Sequence, residues 1–440
     1  MRSTAAVAIG LGGALVVGAG LASAQTTAGA SQPASGPQAP AQAGAAQPST
    51  IPDSVKTRQT LSDDSEAAAR LDNEPFDPTL KGFFLIPGTN TRLKIGGYAR
   101  LDVIHDFEPI GNTSEFIVSS IPIDVVSGDD NTRLQARQTR FNFELRREAE
   151  ARKDVLRVFF EFDFFGSSET SLNLRHAFGQ MHNVLGGYTA STIQDPDAKP
   201  DTLDHEGPSS RIDVRHAQLR YTFALPSRQS LALAVEDPKS DVPASSQGQP
   251  VTPRTPWPDM VVRYRLDARR GHVQAGVIVR SMGGFLADGE QSAQVFGGGG
   301  AVSGSLLVWR KDTLVFEFST GHGLARYIKD MAGLGLDLAV DAQGVVRATE
   351  ATGGYFSYQH VWHDRWRSTI VVSHDHLQHL EVQSPDAYRT SRYAAANLLY
   401  RPASNFTIGV ECSTGRYEVQ DGRNDRATRL QLGVQYDLIK

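Results

Sequence analysis

The basic residues of this 440-residue chain are mostly arginine, and their spacing is the first sign of chemistry. Arg92, Arg100, Arg140, Arg146, Arg157, Arg220, Arg263, Arg265, Arg280 and Arg401 each fall on the parity opposite a set of apolar residues. A guanidinium stays charged and binds carboxylate or phosphate through two parallel hydrogen bonds. Rows of such groups would form a path for small anions. The same arginines have a second use. They could pair with Glu144, Glu161, Asp163, Asp267, Glu317 and Glu411 and hold a wall together. A second constellation lies in 193–210, where Asp195, Asp197, Asp201, Asp204 and Glu206 crowd one connection. Folded inward against an Arg wall, these carboxylates would set a transverse field across a constriction; left outside, they would be a solvated loop.

Other chemistry has less support. His360, His363, His374, His376 and His379 cluster in sequence, and His374-x-His376 with Asp364 or Asp375 has metal-ligand character, but exposed loop histidines explain them as well. No Gly-x-Ser-x-Gly elbow is present, and Ser303-Gly-Ser305 lacks the flanks of one. Gly297 to Gly300 has no Lys-Ser/Thr or following helix to make a phosphate cradle, and is read as a loop tip or hinge. No catalytic residue, metal site or cofactor is therefore expected, and a barrel-embedded hydrolase is the remote alternative.

The elements that position the arginines are strands. From Thr91 the hydrophobic period is two, which places alternate residues on opposite faces. Leu93, Ile95, Ala99, Leu101 and Val103 oppose Arg92, Lys94, Arg100 and Asp102; the last segment opposes Leu430, Leu432, Val434, Tyr436 and Leu438 to Arg429, Gln431 and Asp437. Sixteen such strands are predicted, at 91–105, 132–147, 154–166, 171–181, 184–192, 211–223, 229–236, 258–267, 271–281, 300–310, 312–320, 353–362, 365–373, 391–401, 405–417 and 427–439. Long connections (106–131, 193–210, 237–257, 282–299, 321–352, 374–390, 418–426) alternate with connections of a few residues; 167–170 is short where a long one is expected. Such alternation describes an all-β, 16-stranded antiparallel transmembrane β-barrel, with short periplasmic turns and long extracellular loops. Closure is compulsory in lipid, because an open edge would strand unpaired N–H and C=O groups. Tyr98, Tyr188, Tyr221, Phe223, Tyr264, Tyr400 and Tyr436 near strand ends suit interfacial belts. A soluble sandwich or solenoid would share the periodicity but not the loop alternation.

Composition and the chain ends agree. Charged residues are 21 %, Gly is 41 of 440, and a single Cys excludes an internal disulfide. A net charge of -5 gives no bulk support to nucleic-acid binding. Residues 1–24 read as a signal peptide: Arg2, an apolar run from Ala5 to Leu21, and Ala22-Ser23-Ala24 before the cut. Residues 25–50 are a flexible Ala/Gln/Pro linker, 51–80 a short arm with a candidate helix after Ser62, and 81–440 the barrel. Export, barrel and C-terminus together place the chain in the outer membrane of a Gram-negative-type bacterium, among lipid and lipopolysaccharide. The C-terminal Gln431-Leu-Gly433-Val-Gln-Tyr436-Asp-Leu438 is similar to the assembly signal of outer-membrane barrels, although Ile439-Lys440 follow in place of a terminal aromatic.

From about residue 82 onward the chain resembles the DcaP-like trimeric outer-membrane porins. The likeness is carried by Leu93-Lys-Ile-Gly-Gly-Tyr-Ala-Arg-Leu-Asp102, Arg137-Gln-Thr-Arg-Phe-Asn-Phe143, Leu174-Arg-His-Ala-Phe-Gly-Gln180, Gly187-Tyr-Thr-Ala-Ser-Thr192, Arg215-His-Ala-Gln-Leu-Arg-Tyr221 and Arg326-Tyr-Ile-Lys-Asp330. The resemblance implies sixteen strands, a homotrimer, and passive diffusion of small solutes such as dicarboxylates. It places Arg137, Arg140, Arg175 and Arg220 in matching motifs and so toward the lumen. The expected function is an anion-preferring porin narrowed by an inward loop. The alternative is a structural or adhesin-like barrel without conductance. A TonB-dependent transporter would need a plug domain and more strands.

Overall fold

The computed structural model describes residues 82–125, 130–148, 155–243, 245–246, 249–286, 292–340, 345–378 and 383–438. The signal, linker and arm expected over 1–80 lie outside them, as does His379. Sixteen antiparallel strands close a barrel: β1 (Thr91–Asp106), β2 (two segments, Asn131–Gln135 and Arg140–Glu148), β3 (Val155–Asp163), β4 (Asn173–Met181), β5 (Val184–Ala190), β6 (Arg215–Leu225), β7 (Gln229–Glu236), β8 (Asp259–Ala268), β9 (Gly271–Leu286), β10 (Ser292–Trp309), β11 (Asp312–His322), β12 (Glu350–His363), β13 (Trp366–Leu377), β14 (Tyr388–Ala403), β15 (Phe406–Val419) and β16 (Asn424–Asp437). Each strand pairs with the next, and the barrel shuts where β16 meets β1, with Leu101 opposite Val434 and Asp106 opposite Arg429.

Period-two patterning decides which way each strand faces. Leu101, Leu219, Met260, Val262, Val277, Val279, Ile370 and Leu432 are exposed on the outer surface. Their neighbours Arg100, Arg220, Arg263, Arg280 and Gln431 are buried on the inner one. A charge facing lipid would cost about 2–4 kcal/mol at the midplane, so this inverted arrangement suits a bilayer. Phe223, Tyr264, Trp309, Trp362, Trp366 and Tyr436 lie exposed near the tight-turn end, and Trp366 stacks on Tyr400 at 4.4 Å. They form an aromatic belt at one interface. Tyr98 departs from that expectation: it is buried, faces inward, and its ring lies 5.4 Å from the Arg140 guanidinium.

Three details of the strands correct the sequence reading. The second strand is interrupted at 136–139, where β1 passes from one β2 segment to the other, so Arg137 lies in the break. The predicted long connection 282–299 is mostly strand, because β9 and β10 continue pairing out to Phe285 opposite Ser292. Gly297 to Gly300 is therefore no loop tip. Gly299 pairs with Ile278 on one side and Gly321 on the other, and a Cβ there would fall 2.5 Å from the Thr320 carbonyl oxygen. Glycine here lets three strands approach closely.

Candidate channel interior and its constriction

Among the described residues, three connections, and not one, fold into the barrel: 107–125, 191–214, and 323–340 with 345–349. Phe116, Val118 and Ile121 of the first pack with Ala325, Ile328 and Met331 of the third against wall residues Ala351, Val371 and Tyr393. Ile193 and Ile212 of the second pack with Leu324 and Tyr327 against Ala234, Val261, Ile278 and Ala301. A β-bridge between Ile212 and Ile328 joins the second loop to the third. Apolar burial inside a polar lumen fixes these loops to the wall.

Wall carboxylates then hold loop backbone. Glu236 of β7 accepts from the Thr192 amide at 2.6 Å and the Ser191 hydroxyl at 2.7 Å. Glu411 of β15 accepts from the Leu203 and Asp204 amides at 2.7 and 2.9 Å. Glu317 of β11 accepts from the Ile212 amide at 2.6 Å. Asn397 of β14 donates to the Asp201 carbonyl at 2.7 Å, and Gln138 and Gln431 donate to the Leu203 carbonyl. The second loop thus touches strands around the whole circumference. Two inward glycines make room for it: a Cβ at Gly276 would meet Ile193 Cγ1 at 2.9 Å, and one at Gly409 would meet Leu203 Cδ1 at 3.0 Å.

The five loop carboxylates all have partners. Asp195 lies 3.3 Å and Asp197 2.6 Å from Arg265, and Asp195 also meets His272 at 2.8 Å. Burial would raise the Asp195 pKa, but His272 and Arg265 hold it below the usual carboxylate range. Asp201 lies 2.5 Å from Arg367 and Asp204 3.5 Å from Arg429. Glu206 meets Lys329 at 2.9 Å; burial and the nearby Glu115 and Asp204 push its pKa up to about 8. Asp195, Asp197 and His272 bring one ligand atom each within 4.8 Å of one another. Arg265 already bonds both carboxylates, so the charge there is balanced without a metal.

The predicted wall arginines face inward, in two kinds of setting. Arg100 bonds Asp102 at 2.9 Å, Arg140 lies 3.6 Å from Glu161, and Arg175 meets Glu161 and Asp163 at 2.9 and 2.8 Å. Arg265 meets Asp267 at 3.1 Å, and Arg280 meets Asp259 and Asp337 at 3.1 and 3.0 Å. Arg137 donates to the Phe164 and Gly166 carbonyls, bracing the break in β2. Arg220 and Arg263 are buried on β6 and β8. Pairing thus engages Glu144, Glu161, Asp163 and Asp267, while Glu317 and Glu411 bind loop amides instead.

The second setting is a row of like charges. Cross-strand register puts Arg92 opposite Arg146 and Arg146 opposite Arg157 on β1, β2 and β3. Glu144 accepts from both Arg146 and Arg157, at 2.7 and 2.9 Å. Like charges directly opposite each other destabilise a sheet. The row lies toward the short-turn end of β1, β2 and β3, with Glu144 between two of its members.

Several interior groups escaped the sequence reading. Arg211 and Arg215 flank Asp213 at 2.7 and 3.2 Å, and Lys329 reaches it at 3.4 Å. Burial opposes ionisation of Asp213, but these cations hold its pKa well below the usual range. His205 stacks on Phe165 at 4.3 Å; burial, Lys329 and Arg175 keep it far below the ordinary histidine pKa. The Arg-x-Asp-x-Arg spacing of 211–215 was the available signal. Among the described residues the histidines do not assemble: His360 and His363 sit at the tight-turn end of β12, whereas His374 and His376 are exposed near the far end of β13.

The sequence matches the DcaP outer membrane protein family over residues 66–438. The chain belongs to the DcaP outer membrane protein family. The DcaP channel of Acinetobacter baumannii superposes with a TM-score of 0.72 at 22 % identity, covering 81 % of this chain and 99 % of that one. An anion-selective porin from Comamonas acidovorans gives 0.52 at 8 % identity, covering 79 % and 100 %. OmpF of Salmonella typhi, in complex with daunomycin, gives 0.51 at 13 % identity, covering 80 % and 99 %. A search of curated proteins by sequence returns no match. Membership makes this DcaP-family chain an outer-membrane porin, and the closed sixteen-strand barrel agrees.

Proposed function

We propose that this porin is a passive channel preferring small anions, dicarboxylates among them, and that 191–214 forms its constriction. The carrying observation is the register row Arg92–Arg146–Arg157, with Glu144 as the carboxylate that both Arg146 and Arg157 contact. Arg140, Arg175 and Arg220, from the motifs shared with the family, continue the basic side of the lumen. The acidic loop adds little opposing field, since Asp195 and Asp197 face Arg265 and His272, Asp201 faces Arg367, Asp204 faces Arg429, and Glu206, its pKa pushed up to about 8, is largely protonated at neutral pH. Fixed charge in a low-dielectric channel raises the local concentration of counter-ions and thereby selects them. The assembly is proposed to be a homotrimer in lipid and lipopolysaccharide, exported by the signal at 1–24. Planar-bilayer recording under a salt gradient tests the selectivity. A reversal potential on the anion side is expected, and a clear cation preference would overturn it.

A further inference from the structure

Two interior carboxylates differ from the rest. Asp330 in the 323–349 loop is 2 % exposed, and Asp375 near the loop end of β13 is fully buried. Among the described residues neither meets a Lys, Arg or His; the groups acting on Asp330 are hydroxyls and an amide, and the charge acting on Asp375 is Asp330 itself. Two uncompensated charges cannot stay buried at low cost.

The polar groups that meet them are hydroxyls and one backbone amide. Ser391 Oγ donates to Asp375 Oδ2 at 2.9 Å. Tyr388 Oη lies 2.8 Å from Ser391 Oγ and 3.4 Å from Asp330 Oδ2. The Ser119 amide donates to Asp330 Oδ1 at 3.0 Å. Ser391 and the Ser119 amide donate to the carboxylates, and the single Tyr388 hydroxyl proton goes either to Ser391 Oγ or to Asp330 Oδ2. Asp375 Oδ1 has no hydrogen-bond partner. The Ser210 hydroxyl, on a residue 1 % exposed, also lacks a partner. Both groups line the inner side of Gly353: its Cβ position lies 2.9 Å from Asp375 Oδ1, 3.1 Å from Ser210 Cβ and 3.3 Å from the Ser210 carbonyl oxygen.

We propose that Asp330 and Asp375, together with oxygens of Ser210, Ser391 and Tyr388, bind a hard divalent cation of the calcium type. Two carboxylates with hydroxyl and carbonyl oxygens suit such an ion, and the absence of thiolate or imidazole from the set disfavours softer metals. The ion would tie all three inward loops to the wall at once, through Ser119, Ser210 and Asp330, next to β12, β13 and β14. A calcium affinity of about 10⁻⁴–10⁻³ M is expected, as for extracellular modules.

The test uses full-length protein purified in detergent and stripped with chelator. Terbium luminescence, sensitised by Tyr388, reports occupancy, and calcium chloride competes. One saturable site per chain is expected, together with a calcium-dependent rise in melting temperature. Asp330→Asn and Asp375→Asn should each weaken competition at least tenfold and abolish the thermal response. Asp421→Asn, on the exposed cluster around Arg423, should change neither. Absence of saturable binding in the wild type up to about 10 mM calcium, or unaltered binding in both Asn variants, overturns the proposal. A shared-proton pair would show the first of these results.

Discussion

Replacing Glu411 by Ala should release the constriction loop while leaving the barrel intact. Glu411 is 1 % exposed, and its oxygens accept from the Leu203 amide at 2.7 Å, the Asp204 amide at 2.9 Å and Asn397 Nδ2 at 3.0 Å. Alanine leaves both amides buried without an acceptor. A hydrogen bond to a charged group contributes about 1.5–3 kcal/mol, so the two amides account for about 3–6 kcal/mol. The loss is local, because the backbone ladders of β15 with β14 and β16 do not involve the side chain. At about 1.4 kcal/mol per factor of ten, the loop's open population rises about 10²- to 10⁴-fold. Amide hydrogen exchange over 203–204, followed by mass spectrometry, reads that ratio directly. Glu411→Gln keeps one acceptor oxygen and should fall between wild type and Ala. If exchange at Leu203 and Asp204 rises less than about tenfold in the Ala variant, the latch reasoning is wrong.

Glu206, with its pKa raised to about 8, favours the folded state most below its unfolded value near 4.5, and loses that contribution as pH rises through about 8. Its ionisation adds negative charge to the constriction, so anion preference should fall between pH 6.5 and 9 (reversal potential, with Glu206→Gln removing the change). The double substitution Arg146→Gln with Arg157→Gln should move the reversal potential toward cations and lower stability, since buried Glu144 loses both of its cationic partners; an unchanged potential would take the Arg row out of selectivity. Gly276→Leu should push Ile193 off the wall, costing about 1–3 kcal/mol of loop docking by overpacking. Raised protease susceptibility between 193 and 210, with the barrel's melting temperature preserved, is the expected readout.

Much of the fold was legible because its determinants are local. Alternation such as Leu101/Asp102/Val103 assigns each residue to lipid or lumen, and each of the sixteen predicted segments overlaps an observed strand. The break at 136–139 was not legible, since nothing in Arg137-Gln-Thr-Arg140 breaks the alternation. Nor was the pairing of Gly297 to Gly300 inside the sheet, because a glycine run carries no side-chain parity. The interior was half legible. The arginines pointed inward as their parity required, and several met carboxylates on their own or the next strand, but others took partners from distant loops, as Arg265 with Asp195 shows.

The sequence alone determined the barrel, the inward parity of its arginines and the family to which the chain belongs. These follow from period two, from the cost of polar groups in lipid and from ordered motifs. Only the tertiary structure decided that three loops enter the lumen, that Glu236, Glu317 and Glu411 clamp loop amides, and that Arg92, Arg146 and Arg157 line up across three strands. Register and loop docking are set by contacts between residues distant in the chain, and no local pattern encodes them.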